Sequence, residues 1–290
     1  MAARNWSTIK YANGYFLAIT SNSLIGARSQ DGAVWEEIEL PFSYASPKLQ
    51  HVNGAWWLFG KGSSTTVERS KDNGLTWESV QLTSPTLSTA GNWIGVAYIN
   101  GKFIFGSSDL ASLRVTSDFV NFESIAITKQ AFANVVKVGN TWAFCLTNPN
   151  NASSYSYFLT STDGVTWKEY KTNLFMNTAP IFNTPTQLFV SYNKNIYRTS
   201  DFVNWENVVP PGITNSADTV GAIANVGETT VALYKNKADV YQSLNDGITW
   251  ERFVGIITPQ NWSAAAADNE RIVAVANNSN IASRTVMPIA

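Results

Sequence analysis

The chain is poor in the residues that usually carry chemistry. Its 290 residues include one cysteine and one histidine. The lone Cys145 excludes an internal disulfide framework and any multi-cysteine metal centre. Its setting, Trp142-Ala143-Phe144-Cys145-Leu146, is that of a buried and inert thiol. The lone His51 falls at a strand end in Leu49-Gln50-His51-Val52-Asn53-Gly54. With no second histidine a His-based zinc site is not expected, and a Ser-His-Asp triad would have to be built around this one residue. Charge is sparse as well: 14% of residues are charged and the formal net charge is -1, so there is no basic tail or stripe for nucleic acid or a membrane surface. No run approaches the length of a transmembrane helix, and the stretch from Met1 to Trp6 has no apolar segment of the kind that directs secretion. Calcium-loop patterns and a phosphate-cradling glycine loop ahead of a helix are also missing, so neither a metal nor a cofactor is expected.

What the chain does have is a phrase that returns once in every forty-odd residues. Ser70-Lys71-Asp72-Asn73-Gly74-Leu75-Thr76-Trp77 has close copies at Ser161-Thr162-Asp163-Gly164-Val165-Thr166-Trp167 and Ser243-Leu244-Asn245-Asp246-Gly247-Ile248-Thr249-Trp250. Eroded copies run from Ser29 through Asp31 to Trp35, from Thr116 through Asp118 to Phe122, and from Thr199 through Asp201 to Trp205. The closing aromatics follow one another at intervals of 42, 45, 45, 38 and 45 residues. The phrase has the chemistry of a tight turn between two strands. An Asp carboxylate accepts from backbone amides two or three residues on, and a Gly tolerates positive φ. Thr and Trp are expected to start the next strand, with the Trp pinning the turn to the core. Asp31, Asp72, Asp118, Asp163, Asp201 and Asp246, Gly74, Gly164 and Gly247, and Trp35, Trp77, Phe122, Trp167, Trp205 and Trp250 are thus read as structural.

Each repeat holds four short strands. In the first, strands over 6–12 and 15–19 flank an Asn13-Gly14 hairpin turn, a third covers 24–28, and a fourth runs over 34–40 after the box. Asn53-Gly54 and Asn100-Gly101 repeat the hairpin. Trp56 and Trp57 resemble a ligand-stacking pair, but Trp56 aligns with Phe16, Phe103 and Trp142, which makes it core. The units cover approximately 5–41, 46–82, 92–127, 132–172, 177–210, 217–258 and 261–290, and the last stops without a box. The expectation is one all-β domain over 1–290, a β-propeller of four-stranded antiparallel blades, with seven blades favoured and six as the alternative.

The repeated phrase resembles the Asp-box, or BNR repeat, of the sialidase-like β-propellers. In that family the box is the turn between the third and fourth strands of a blade, remote from the catalytic face. Sialidases also use an arginine triad, an Arg-Ile-Pro motif, a Tyr-Glu nucleophile pair and an Asp acid/base, and this chain has no Arg-Ile-Pro. Arg28, Arg69, Arg114 and Arg198 sit one or two residues ahead of a box, which suggests a repeated structural role such as packing the side-chain stem or pairing between blades. Asp109 with Asp218 could be imagined as a glycosidase carboxylate pair, though no motif singles them out. No enzyme activity is expected, and a glycoside hydrolase of sialidase-like fold is the alternative.

The chain is also similar to short propellers carried on bacteriophage particles. That resemblance implies a virion protein made in the host cytoplasm, with other virion proteins and a host-surface glycan or protein as partners. A purely structural decoration or connector is the competing reading, with a bacterial cytoplasmic or extracellular protein as the fallback outside viruses. For binding, the informative end is the one opposite the boxes, where the loops vary in length and content. Tyr44, Asp109, Asn150, Tyr155, Phe175 and Asp218 are the candidate ligand contacts there. The segment Val286-Met287-Pro288-Ile289-Ala290 is a candidate anchoring tail.

Overall fold

The computed structural model describes residues 3–127, 132–146, 157–172, 174, 181–192, 194–254, 258–277 and 284–285. The first sheet comprises β1 (Trp6–Ala12), β2 (Tyr15–Thr20), β3 (Ile25–Ser29) and β4 (Glu36–Glu39). The second joins β5 (Lys48–Val52), β6 (Ala55–Phe59), β8 (Thr66–Ser70) and β9 (Glu78–Gln81), while β7 (Ser63–Ser64) leaves it. β7 pairs instead with β10 (Gly91–Ile99), the first strand of a sheet completed by β11 (Lys102–Ser107), β12 (Ser112–Thr116) and β13 (Glu123–Ala126). The fourth sheet holds β14 (Phe132–Val138), β15 (Thr141–Leu146), β16 (Tyr157–Ser161) and β17 (Lys168–Lys171). The fifth holds β18 (Ile181–Asn183), β19 (Leu188–Tyr192), β20 (Asn195–Thr199) and β21 (Glu206–Val208). The sixth holds β22 (Val220–Val226), β23 (Thr229–Tyr234), β24 (Val240–Ser243) and β25 (Glu251–Phe253). Among the described residues the last sheet has three strands, β26 (Trp262–Ala267), β27 (Ile272–Ala276) and β28 (Arg284–Thr285). There are therefore six complete four-stranded meanders and one shorter sheet.

Burial explains why the strands differ in sequence. β6, Ala-Trp-Trp-Leu-Phe, is buried at every position, and β23 and β27 are too. Strands covered on both faces read as continuous apolar runs, whereas outer strands alternate or are mostly polar. β4 and β9 show this, with Ile38 and Val80 as their single buried residues. Trp56 and Trp57 are both core, as the alignment of aromatics predicts, and so is Cys145. Burial pushes the Cys145 thiol up to about 12, against a smaller downward pull from the Lys48 ammonium.

The chain forms two compact units. One holds Met1–Ser21, Ile25–Glu37 and Thr178–Ala290. Within it the first and last sheets share a core of Trp6, Ile9, Phe16, Ala266, Val273 and Val275, and the Ser263 hydroxyl donates to the Trp6 carbonyl at 2.7 Å. The fifth and sixth sheets pack through Phe189, Ile223, Ala232, Tyr241 and Trp250. The other unit holds Asn22–Leu24 and Ile38–Asn177. There Trp57, Phe59, Trp93, Val96 and Phe105 fill one interface between sheets, and Ile94, Ile104, Leu113, Val135 and Phe144 fill the next.

The boxes close β3–β4 and its equivalents as expected. In the first, Asp31 Oδ1 accepts from the amides of Ala33 and Val34, each at 2.8 Å, the Ser29 hydroxyl accepts from the Gly32 amide, and Trp35 Nε1 donates to the Gly32 carbonyl. Two details correct the sequence reading. The fourth strand begins after the closing aromatic, at Glu36, Glu78, Glu123, Lys168, Glu206 and Glu251, because Trp35 and Trp77 are still bonded back into the turn. In the sixth box the acceptor is Asn245, not Asp246. Asn245 Oδ1 takes the Ser243 hydroxyl and the Thr249 amide, both at 2.9 Å, while Asp246 occupies a left-handed position at φ 55°.

Candidate functional site

In each four-stranded meander the hairpin and box turns share one end, so the remaining loops and the links between sheets gather at the other. Two clusters of charged and aromatic side chains form at the loop ends of these sheets, one in each unit, and each is described within its own unit. The first is centred on Glu68 of β8, which is fully buried. Its carboxylate accepts from Lys61 Nζ at 2.5 Å and from the Ser79 hydroxyl at 2.7 Å. Lys61 also donates to the Thr66 hydroxyl at 2.6 Å, and its ammonium stands 4.3 Å from the centre of the Phe42 ring. The lysine is carried between Gly60 and Gly62, both at positive φ, and a Cβ at Gly60 would meet the Ser46 carbonyl at 2.3 Å. The strand β7 that follows is held by Trp93, whose Nε1 donates to the Ser64 carbonyl at 2.8 Å. Leu58, Thr66, Val67 and Trp93 pack beside Lys61 around a gap too narrow to admit a water molecule.

The second cluster lies at the loop end of the fifth and sixth sheets. Asp239 accepts from Arg252 through Nε at 2.8 Å and Nη2 at 2.6 Å. Asp218 pairs with Lys237 at 3.0 Å. Both carboxylates are nearly buried, with side chains 11% and 12% exposed, while Arg252 and Lys237 are 38% and 36% exposed. Between them Tyr234 and Tyr241 meet edge to face at 5.2 Å. Burial, then the Asp239 charge, raises the Tyr241 hydroxyl, against a smaller downward pull from the neighbouring Arg252 guanidinium.

The candidate ligand contacts fare unevenly. Tyr44 is fully buried rather than displayed, since its ring fills space beside Glu68; burial and then the Glu68 charge raise its hydroxyl. It is a core residue and not a surface contact. Asp109 is exposed, but one carboxylate oxygen accepts the Asn92 amide at 2.8 Å and the Ser107 hydroxyl, which anchors the loop. Asp218 belongs to the second cluster. Asn150, Tyr155 and Phe175 lie outside the described residues, as does the segment 286–290. Asp109 and Asp218 fall in different units, each engaged locally.

The arginines ahead of the boxes do not share one role. Arg28, Arg69 and Arg198 pair with Glu36, Glu78 and Glu206 of the adjoining strand in the same sheet, so the repeated pairing is within a blade. Arg198 also reaches the next sheet, donating to the Asp246 carbonyl at 3.0 Å, and the Arg69 guanidinium stands 5.0 Å from the centre of the Phe119 ring in the next sheet. Arg114 sits one residue earlier, hence on the opposite face of its strand. It is buried and donates to the carbonyls of Leu82 and Leu87. The residues that sequence reasoning passed over are Glu68, Asp239 and Arg252; Glu68 stands in the mostly polar strand Thr66-Val67-Glu68-Arg69-Ser70, where nothing local marks it as buried.

No family model matches the chain, and no curated protein matches it by sequence. Solved structures do match in fold. Virginiamycin B lyase from Staphylococcus aureus, as a catalytically inactive His-to-Ala variant with quinupristin, superposes with a TM-score of 0.70 at 15% identity, covering 98% of this chain and 95% of the lyase. YCF48 bound to D1 peptide gives 0.67 at 16% identity over 99% and 98%. Kuenenia stuttgartiensis hydrazine synthase gives 0.68 at 10% over 100% and 97%. The chain is a β-propeller. At these identities the likeness extends to the fold alone, an all-β propeller of four-stranded antiparallel blades.

Proposed function

We propose that this propeller is a non-catalytic binding protein of a bacteriophage particle, which attaches to a host-surface glycan or receptor through its loop end while other virion proteins hold it in place. The three-stranded last sheet counts as a seventh, short blade in this reading. The observation that carries it is the state of the carboxylates at the loop end. In one unit Glu68, and in the other Asp239 and Asp218, are each buried or nearly so and held against a cation, so among the described residues these carboxylates are committed locally and not poised as an acid and base pair. Phe42, against Lys61 in one unit, and Tyr192, at the end of β19 in the other, are meanwhile 43% and 41% exposed. Aromatic faces beside fixed polar groups suit the C–H faces and hydroxyls of a sugar.

The fold does not decide between binding and catalysis, because similar propellers include a lyase and a peptide-bound protein. The lyase variant named above is inactive with its histidine replaced. Here the single histidine, His51, lies on β5 beside the Asn53-Gly54 turn, edge to face with Trp56 at 5.0 Å and away from the loop end. That placement supports a non-enzymatic reading. The test is binding of the purified protein to a broad glycan array and to whole bacterial cells, with a glycan-cleavage assay on the same sample. Saturable binding without turnover is the expected result; turnover would overturn the non-catalytic reading, and silence in all three would favour a structural decoration.

A further inference from the structure

We infer that the loop end of the fifth and sixth sheets binds an acidic saccharide, a chain bearing carboxylate or sulfate groups. The inference rests on the binding function proposed above and specifies its ligand. Four cations meet there: Lys194 between β19 and β20, Lys235 and Lys237 between β23 and β24, and Arg252 on β25. Hydrogen bonds tie together the segments that carry them. The Tyr234 hydroxyl donates to the Lys194 carbonyl at 3.1 Å, Lys194 Nζ reaches the Thr214 carbonyl at 3.5 Å, and the Lys235 amide donates to the Thr219 carbonyl at 2.9 Å. Two carboxylates, Asp218 and Asp239, are committed to Lys237 and Arg252. Among the described residues, Lys194 and Lys235 form no ion pair. The local balance is therefore two positive charges in a protein whose overall net charge is -1.

The carboxylates lie beneath the cations they hold. With Asp218 and Asp239 nearly buried and the basic groups more than a third exposed, each acid fixes a cation in place and leaves part of it facing outward. A cation already held costs less to order when a ligand arrives. Gly212 completes the seat of Arg252: a Cβ there would stand 2.6 Å from Nη1, so any side chain would push the guanidinium away. Thr214, Asn215, Ser216 and Asn236 are exposed around the rim, neutral groups suited to sugar hydroxyls. Nucleic acid would require a longer uninterrupted run of basic side chains.

The experiment is titration of the intact protein with polygalacturonate, dextran sulfate, neutral dextran, poly-glutamate and duplex DNA, alongside the glycan array and the cell binding above. The expected result is binding to a charged polysaccharide that weakens about tenfold or more between about 50 mM and about 500 mM NaCl, as screening of exposed charges requires. Lys194→Gln with Lys235→Gln should weaken that binding about tenfold without moving the melting temperature, since neither lysine holds a buried acid. Lys237→Gln with Asp218→Asn, which removes a whole pair, should weaken it as well. Neutral glycans bound as well as the acidic chains, or cells bound with no acidic chain bound, would overturn this inference and leave the binding function standing, as would unchanged binding by the Lys194/Lys235 variant. Binding confined to poly-glutamate or DNA would overturn the saccharide class, and no binding to any saccharide or cell would overturn both readings.

Discussion

The Ser243 hydroxyl donates to Asn245 Oδ1 at 2.9 Å, and the carboxylate of Asp246, one residue on, points away from the turn it was expected to close. The Asp246 carboxylate instead accepts from the Thr186 hydroxyl at 3.0 Å. Asn245 Nδ2 also donates to the Thr249 hydroxyl at 2.9 Å, so an amide does the work that a carboxylate does in the other boxes. Replacing Asn245 by Ala removes the acceptor for a buried-side hydroxyl and a backbone amide together, and should cost about 1–2 kcal/mol, as loss of a capping side chain does. Asp246→Asn should stay within about 0.5 kcal/mol, because Asn tolerates the left-handed region and the lost partner is exposed. Urea midpoints of the two variants check the assignment; a larger loss at Asp246 than at Asn245 would reverse it.

The box carboxylates set an acid limit. Asp31 is held down to about 2 by the Val34 and Ala33 amides, Asp118 by those of Asn121 and Val120, and Asp163 by those of Val165 and Thr166. Asp201 also falls to about 2: burial pushes it up, and the Asn204 and Val203 amides outweigh that. An unfolded Asp titrates near 3.9, so the unfolded chain binds more protons in this window. The stability these groups supply is complete above about 4 and is lost as pH falls toward about 2. His51 acts in a separate window. Burial lowers it below 6.5, and its Nε2 is buried without a partner. Its depressed value means that stability declines as pH drops below about 6.5, because the unfolded imidazole takes the proton first. A melting-temperature profile should show a shallow fall below about 6.5 that His51→Gln flattens, and a steep fall below about 4 that it does not.

Lys61 and Glu68 offer a test of the first cluster. The acid is fully buried and the ammonium nearly so, with side chains 0% and 13% exposed. Removing one partner strands a charge, whereas removing both exchanges the pair for apolar contact. Lys61→Met should therefore cost about 3–5 kcal/mol, and Lys61→Met with Glu68→Met should recover most of it. Chemical denaturation of the two single variants and the double variant gives the coupling; additive losses would mean that the pair is not a unit.

The boxes were legible because their chemistry is local. A hydroxyl, an acid two residues on and an aromatic within seven residues declare a turn wherever it lies in the chain. The misreading at Asp246 has a local cause too: Ser70 to Gly74 and Ser243 to Gly247 span four residues, while Ser161 to Gly164 spans three, and in the longer form the acceptor stands two residues before the Gly. The loop-end clusters were not legible, since Lys61 meets Glu68 and Arg252 meets Asp239 only after the loop or box between them has folded. Tyr44 failed for another reason. An aromatic in a link between strands is as free to fill the core as to face solvent, and sequence position alone does not distinguish the two.

Phe202 puts two opposing effects in one residue. It occupies the box position that Gly32 and Gly164 fill elsewhere, at φ 65°, where a side chain costs about 1–2 kcal/mol of backbone strain. Glycine at that position has a second reason in the first box, where a Cβ at Gly32 would stand 2.5 Å from Val273 Cγ2. No such crowding excludes Phe202, which turns its ring inward and is 2% exposed. Truncating a buried Phe removes about 3–5 kcal/mol of packing and leaves a cavity, which exceeds the strain relieved. Phe202→Gly should therefore destabilise the protein by about 2–4 kcal/mol net. Phe119 holds the same backbone position at φ 59° but is only partly buried, against Phe103 at 4.8 Å and Trp57 at 5.9 Å. Its replacement by Gly should cost less. Urea denaturation of both variants orders the two effects, and a Phe202→Gly protein as stable as the parent would mean that strain, not packing, dominates at this turn.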